Sequence, residues 1–259
     1  MASTIITQLQ SYVRRYLANK NNIFKCFKQD IIQDKFKNEI MGYHIINDAP
    51  IKEAVWEEIN KNIVKDVCEI SDEAQGNHLS GKDNKFNNWN ISNKTAKMNK
   101  NKIDISSYRL TKVCSNKSPG IPKDFIDEIE KRDNSFEYYS ILLREERKNK
   151  NIHYIWCIIP KDYYIFNAKC YEWKRKFGKM KKNKDIQVGW ESKYMNITFA
   201  MSSQLWFHFN YHDIKKYIIA EVEVNANQLP RLSYSEIYKL HVPNADINDL
   251  SDNMISLNI

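Results

Sequence analysis

"SGKDNKFNNWNISNKTAK", residues 80–97, decides how the rest of the chain is read. Taken as a strand from Trp89, its side chains alternate: Asn90, Ser92 and Lys94 project from one face, while Trp89 and Ile91 pack on the other. A row of short polar groups ending in an amine is then backed by an apolar surface. Asp83, just upstream, stands in a turn or at the end of a preceding strand, within reach of the same patch. The plainer alternative is a hydrophilic loop in which Asp83 is a turn residue and Lys94 a solvated cation.

Working outward, the period-two pattern resumes at Ile103, Ile105 and Ser107 after "AKMNKNK", which has the composition of a hairpin turn. On the N-terminal side the pattern is helical. "TIITQLQSYVRRYLA" places Ile5, Leu9, Val13 and Leu17 at four-residue steps, and Asp48 with Pro50 opens a helix in "APIKEAVWEEINKNIVKDVCEI". In that second helix Val55, Ile59, Ile63 and Val67 form one apolar stripe, and Glu53 and Glu57 share a different face. On the C-terminal side, "SPGIPKDFIDEIEKRD" reads as loop then helix, and "NIHYIWCIIPKDYYIF" as a central strand. Two more strand-like runs follow, "SKYMNITFAMSSQLWFHF" and "KKYIIAEVEV", with a polar end after about residue 242. The expectation is a single α/β domain over residues 1–259, a mixed central sheet flanked by helices. Its parts are a helical N-terminal region (1–75), a core (76–165), and a basic loop with a β-rich C-terminal region (166–259).

Composition narrows the partners. Lys and Arg number 40 against 32 Asp and Glu, a net charge of +8 that favours a polyanion such as nucleic acid, although a solvated lysine-rich surface needs no partner. The five cysteines are scattered and odd in number, with no pair at metal-ligand spacing, so neither a disulfide framework nor a zinc knuckle is supported. No apolar run approaches the ~20 residues that span a bilayer, and the first residues lack the apolar stretch of a secretion signal. A soluble, cytoplasmic protein that does not enter a membrane is expected.

The chemistry of the opening stretch follows from its residue types. Hydrolysis of a phosphodiester uses a divalent metal held by carboxylate oxygens to orient the phosphate and activate a water, and a nearby lysine helps place that water. Asp83 and Lys94 are the smallest version of such a site. On these residues, "GKD" ending at Asp83 and "SNK" from Ser92 to Lys94, the chain resembles the PD-(D/E)xK nuclease superfamily and, within it, the type II restriction endonucleases. "KIDISSYRLT" is similar to the strand that follows their active site. The likeness covers residues 53 to about 160. It departs from the pattern in having no proline before Asp83 and in placing Ser92, or Asn90 in a shifted register, where the second acid belongs. The resemblance implies Mg²⁺ bound by Asp83 and by Glu57 or Glu53, Lys94 positioning the nucleophilic water, Ser92 or Asn90 in the acid's place, and a homodimer acting on double-stranded DNA.

Further contacts to nucleic acid are expected elsewhere. Residues 169–184 hold eight Lys or Arg against one Glu, with Tyr171, Trp173 and Phe177 interleaved; Lys174, Arg175, Lys176, Lys179, Lys181 and Lys182 are the candidate phosphate contacts. His78 is a candidate for the backbone. Ser106, Ser107, Arg109, Ser202, Ser203 and Gln204 are candidates for base edges or phosphates, against ordinary mid-sheet polarity. His208 and His212 are four apart, but "LWFHFNYHD" alternates like a strand, and a structural role is expected. Glycine-rich phosphate loops and nucleophile elbows are absent from the sequence. The competing expectation is a non-catalytic nucleic-acid-binding protein on the same scaffold.

Overall fold

The structure, a computed structural model, describes residues 23–71, 81–179, 185–200, 202–225 and 227–241. The apolar steps from Ile5 to Leu17, His78, Lys181, Lys182 and the polar end after 242 lie outside the described residues. The fold is α/β, with a mixed, largely antiparallel sheet flanked by helices, as the patterning predicts.

Among the described residues eleven strands make one sheet. They are β1 (Ile70–Ser71), β2 (Asn84–Phe86), β3 (Trp89–Asn99), β4 (Lys102–Arg109), β5 (Tyr138–Glu146), β6 (Asn151–Pro160), β7 (Lys174–Lys179), β8 (Asp185–Glu191), β9 (Met195–Thr198), β10 (Gln204–Asn210) and β11 (Ile218–Asn225). The order is β11-β6-β5-β3-β4-β10-β9-β8-β7, with β2 paired to β3 and β1 to β2. Of these pairs only β3 and β5 run parallel, and the crossover such a pair requires is supplied by helix α3 (Pro122–Asp133), whose proline sits in its first turn. The β3–β4 hairpin turns on two residues, Lys100 and Asn101, at φ 50° and 68°, a narrower turn than "AKMNKNK" and one with both central residues left-handed.

Helices α1 (Asp30–Ile46) and α2 (Glu53–Val64) cover one face of the sheet, α3 the other. Beneath α1 and α2, Phe27, Phe36, Trp56 and Trp156 form an aromatic cluster with ring centroids 5.6–6.3 Å apart. Beneath α3, Phe125 packs on Trp173 and Trp190. The buried stripe of α2 is Trp56, Ile59, Asn60, Ile63 and Val64, with Val55 and Val67 only partly covered. Trp56 buries more apolar surface than Val55 and pulls the helix round, so Glu53 and Glu57 border the buried face instead of lying opposite it. Strand β6 is buried on both faces, which explains its unbroken apolar sequence, although it lies one strand in from the edge and not at the centre.

The basic stretch also differs from expectation. Residues 174–179 are a strand, not a loop: β7 pairs with β8 at the far edge of the sheet. Trp173 is buried, while Phe177 is 56% exposed. Among the described residues no helix is long and apolar enough to cross a membrane.

The sheet is interrupted along β3. On the edge of β3 away from β5, β2 pairs with residues 89–91 and β4 with residues 97–99, so residues 92–96 have no strand beside them. The sheet forks there.

Replacing Trp156 with alanine removes the ring that touches Phe27, Phe36 and Trp56 and leaves Ser140 Oγ without its indole donor at 2.9 Å. Chemical denaturation should register a loss of about 3–5 kcal/mol.

A carboxylate and lysine cluster in the fork of the sheet

Asn93 stands at the centre of the open edge, and its backbone N–H and C=O both point into the fork. The N–H donates to Asp83 Oδ2 at 2.5 Å, and the C=O accepts from Lys94 Nζ at 2.6 Å. A carboxylate and an ammonium therefore take the places that a neighbouring strand would fill. Ser92, fully buried, donates from Oγ to Asp83 Oδ2 at 3.3 Å, and Lys94 Nζ lies 3.8 Å from that oxygen. Lys94 also donates to Glu53 Oε1 at 3.0 Å, which ties the first turn of α2 to the fork.

The segment that carries Asp83 is clamped from below. Asp83 N donates to Ile91 O at 2.8 Å, and Gly81 N donates to Ser135 Oγ at 2.9 Å, just past the end of α3. A Cβ on Gly81 would lie 2.7 Å from Tyr108 Oη and 2.9 Å from Phe136 Cε1, so only glycine fits without displacing the chain. Tyr108 is fixed in turn: it donates to Asp133 Oδ1 at 2.7 Å, and Tyr139 donates to the same oxygen at 3.2 Å. Burial pushes the Asp133 carboxyl up to about 6.

Electrostatically the cluster is strained toward neutrality. Burial lifts Glu57 from an ordinary 4.5 to about 7, with the charges of Asp83 and Glu53 adding to the rise against the pull of Lys94 and Lys61. Burial also raises Asp83, opposed by Lys94, the Asn93 amide and Ser92. Three carboxylates thus share one corner with Lys94, bonded to Glu53 and near Asp83, and with Lys61 acting on Glu57.

The structure brings together Asp83, Ser92, Lys94, Glu53 and Glu57, five of the residues singled out in sequence. Asn90 is not among them: its N–H donates to Glu137 Oε2 at 2.7 Å, at the β2 end of the strand. Ser203 is not a surface group either; it is 1% exposed, at φ 47° in the turn before β10, and its carbonyl accepts from Leu110 N. Ser202 accepts through its carbonyl from Thr111 Oγ1, and Gln204 donates to Ser107 O at 2.7 Å. His208 on β10 pairs with Asp104 at 2.5 Å.

Sequence reading missed a second layer. Asn60 donates to Asn93 Oδ1 at 2.7 Å and to Ser140 Oγ at 2.8 Å, joining α2, β3 and β5 behind the cluster. The signal was an asparagine within the buried stripe of α2, visible only once the stripe is phased on Trp56.

The donor set is all oxygen, which suits a hard divalent cation. Asp83 and Glu57 carry the charge, and Asn60 Oδ1, one turn along α2 from Glu57, is buried with no hydrogen-bond partner among the described residues. Among the described residues, however, no three His, Cys, Asp or Glu side chains already stand close enough to enclose an ion. The chemistry fits such a cation, and an enclosing cage is not preformed. Comparison of the chain with protein-family models, with curated proteins and with solved structures finds no match.

Because the folded chain holds the Glu57 proton up to about 7 and the unfolded chain releases it near 4.5, folding stability falls as pH rises through that window. Glu57→Gln removes this loss. In chelator, the variant's thermal midpoint should match the native protein's near pH 5 and exceed it at pH 8; equal midpoints at both would show that Glu57 carries no such burden.

Proposed function

We propose that the protein is a metal-dependent nuclease that hydrolyses phosphodiester bonds in double-stranded DNA, of the type II restriction class. The observation that carries this reading is the open edge of β3, where Asp83, Glu57, Glu53 and Lys94 converge on one partly buried corner. That combination of several carboxylates with one lysine is what phosphodiester hydrolysis at a metal asks for. The net charge of +8 and the exposed Lys174 and Arg175 on β7 suit a polyanionic substrate.

Asp83 and Glu57 would hold Mg²⁺; the ion when bound would neutralise phosphate charge and acidify the attacking water. Ser92 and the Asn93 amide fix the Asp83 carboxylate by two hydrogen bonds. Ser92 therefore serves the site by holding the first acid, not by replacing the second. Lys94 orients the water, and Glu53 holds the ammonium in place at 3.0 Å. A homodimer would present two such corners to the two strands of a palindromic site.

The test is incubation of a mixed-sequence plasmid with the purified protein in Mg²⁺ and in EDTA. Discrete fragments should form only with Mg²⁺, and Asp83→Ala and Lys94→Ala should each lower the rate at least a hundredfold. A plasmid left intact in every condition would reject the nuclease and leave a non-catalytic binder. Gly81→Val, which presses on Tyr108 and Phe136, should slow cutting at least tenfold while duplex binding in EDTA persists.

A further inference from the structure

The two halves of the sheet are covered differently. The core beneath α1 and α2 takes side chains from β2, β3, β5, β6 and β11 and none from β4 or β7–β10. Among the described residues, no helix or loop core lies on that face of β4, β10 and β9, whose opposite face packs under α3. The uncovered face starts at the fork, since β4 is one of its arms.

Strand register shows what the face presents. Ser106, Trp206 and Asn196 align across β4, β10 and β9; Arg109, Gln204 and Thr198 align one step along. None is aliphatic, so the face offers little to a protein partner that binds by apolar burial. All six are groups that hydrogen-bond or stack. Trp206 is half-buried, and the Gln204 amide is held by the bond from its nitrogen to Ser107 O. Two buried polar atoms on this face, Asn196 Oδ1 and His208 Nε2, have no hydrogen-bond partner among the described residues. Unsatisfied groups are costly, and two on one face point to a polar ligand.

Charge completes the assignment. Exposed Arg109 lies at one end, and Lys174 and Lys176 continue the same side of the sheet through β7. Of the carboxylates placed there, Asp104 is held by His208, Glu191 stands opposite Lys174, and Glu172 pairs with Lys174 at 3.5 Å, against the cations Lys102, Arg109, Lys174 and Lys176. The balance is cationic.

We infer that the uncovered face of β4, β10 and β9 is the surface on which a nucleic-acid duplex lies, with Asn196, Gln204 and Trp206 meeting base edges and so setting sequence preference. This rests on the nuclease reading for the identity of the polyanion. It extends that reading by separating recognition, on the open half-sheet, from chemistry, in the fork.

The experiment is binding of a labelled 40-base-pair mixed-sequence duplex in EDTA, where cleavage plays no part, alongside plasmid cutting in Mg²⁺. Thr198→Glu places a charge in the middle of the face and should weaken binding at least tenfold. Lys123→Glu, on exposed α3 at the other side of the sheet, changes net charge by more yet should alter binding less than threefold. Asn196→Ala should shift which sequences are enriched from a random duplex pool, with an unchanged thermal midpoint. If Thr198→Glu binds like the native protein, or both charge variants weaken binding equally, the surface is wrong even where the plasmid is cut. If the plasmid is never cut while Thr198→Glu alone abolishes binding, the surface stands and the nuclease reading falls.

Discussion

The arrangement depends on one backbone position, Asn93. Its amide and carbonyl lie in the middle of a sheet where β2 has ended and β4 has not yet begun. A buried edge of this kind would normally be among the most expensive defects a sheet carries, because both groups lose water and gain nothing. Here a carboxylate and an ammonium satisfy them, which holds two opposite charges side by side at fixed positions. The geometry of Asp83 and Lys94 follows from backbone hydrogen bonding before any side-chain packing is considered.

Elements that look unrelated serve that position. Helix α3 ends where Ser135 and Tyr108 hold the Gly81 segment, so Asp83 arrives at the right height. Helix α2 is rotated by Trp56 until Glu53 and Glu57 overlook the fork and Asn60 reaches Asn93 from behind. The aromatic cluster under α1 and α2 fixes that rotation. Packing thus sets the phase of a helix, and the phase decides whether two glutamates face solvent or face a buried lysine.

This explains which parts were legible in the sequence. Alternation from Trp89 to Lys94 is a local property, and it placed Ser92 and Lys94 on one face correctly because period two survives any tertiary context. The class of the fold was legible for the same reason. The phase of α2 was not, since Val55-Ile59-Ile63 and Trp56-Ile59-Ile63 are both acceptable helical stripes and only the neighbouring aromatics choose between them. β7 was hidden by its lysines, which suit an edge strand as well as a loop. The fork itself is a matter of long-range register, and nothing local in "TAKMN" announces that a partner strand is missing.

The cluster costs stability, and its cost is placed where it can be recovered. Asp83 and Glu57 are both lifted by burial, so near neutrality the folded chain carries charge it would rather shed. In the same corner Lys94 is bonded to Glu53 and lies near Asp83, Lys61 draws on Glu57, and behind it Asn60 Oδ1 has no hydrogen-bond partner among the described residues. A purely structural ion pair would be expected to balance its charges and satisfy its polar atoms, because an uncompensated buried carboxylate is strongly destabilising. The raised carboxylates sit where the covered half of the sheet gives way to the open half. If the proposed cation binds, Asp83 and Glu57 are carboxylates whose burial has already removed part of their water, and stability lost in folding would return as binding energy.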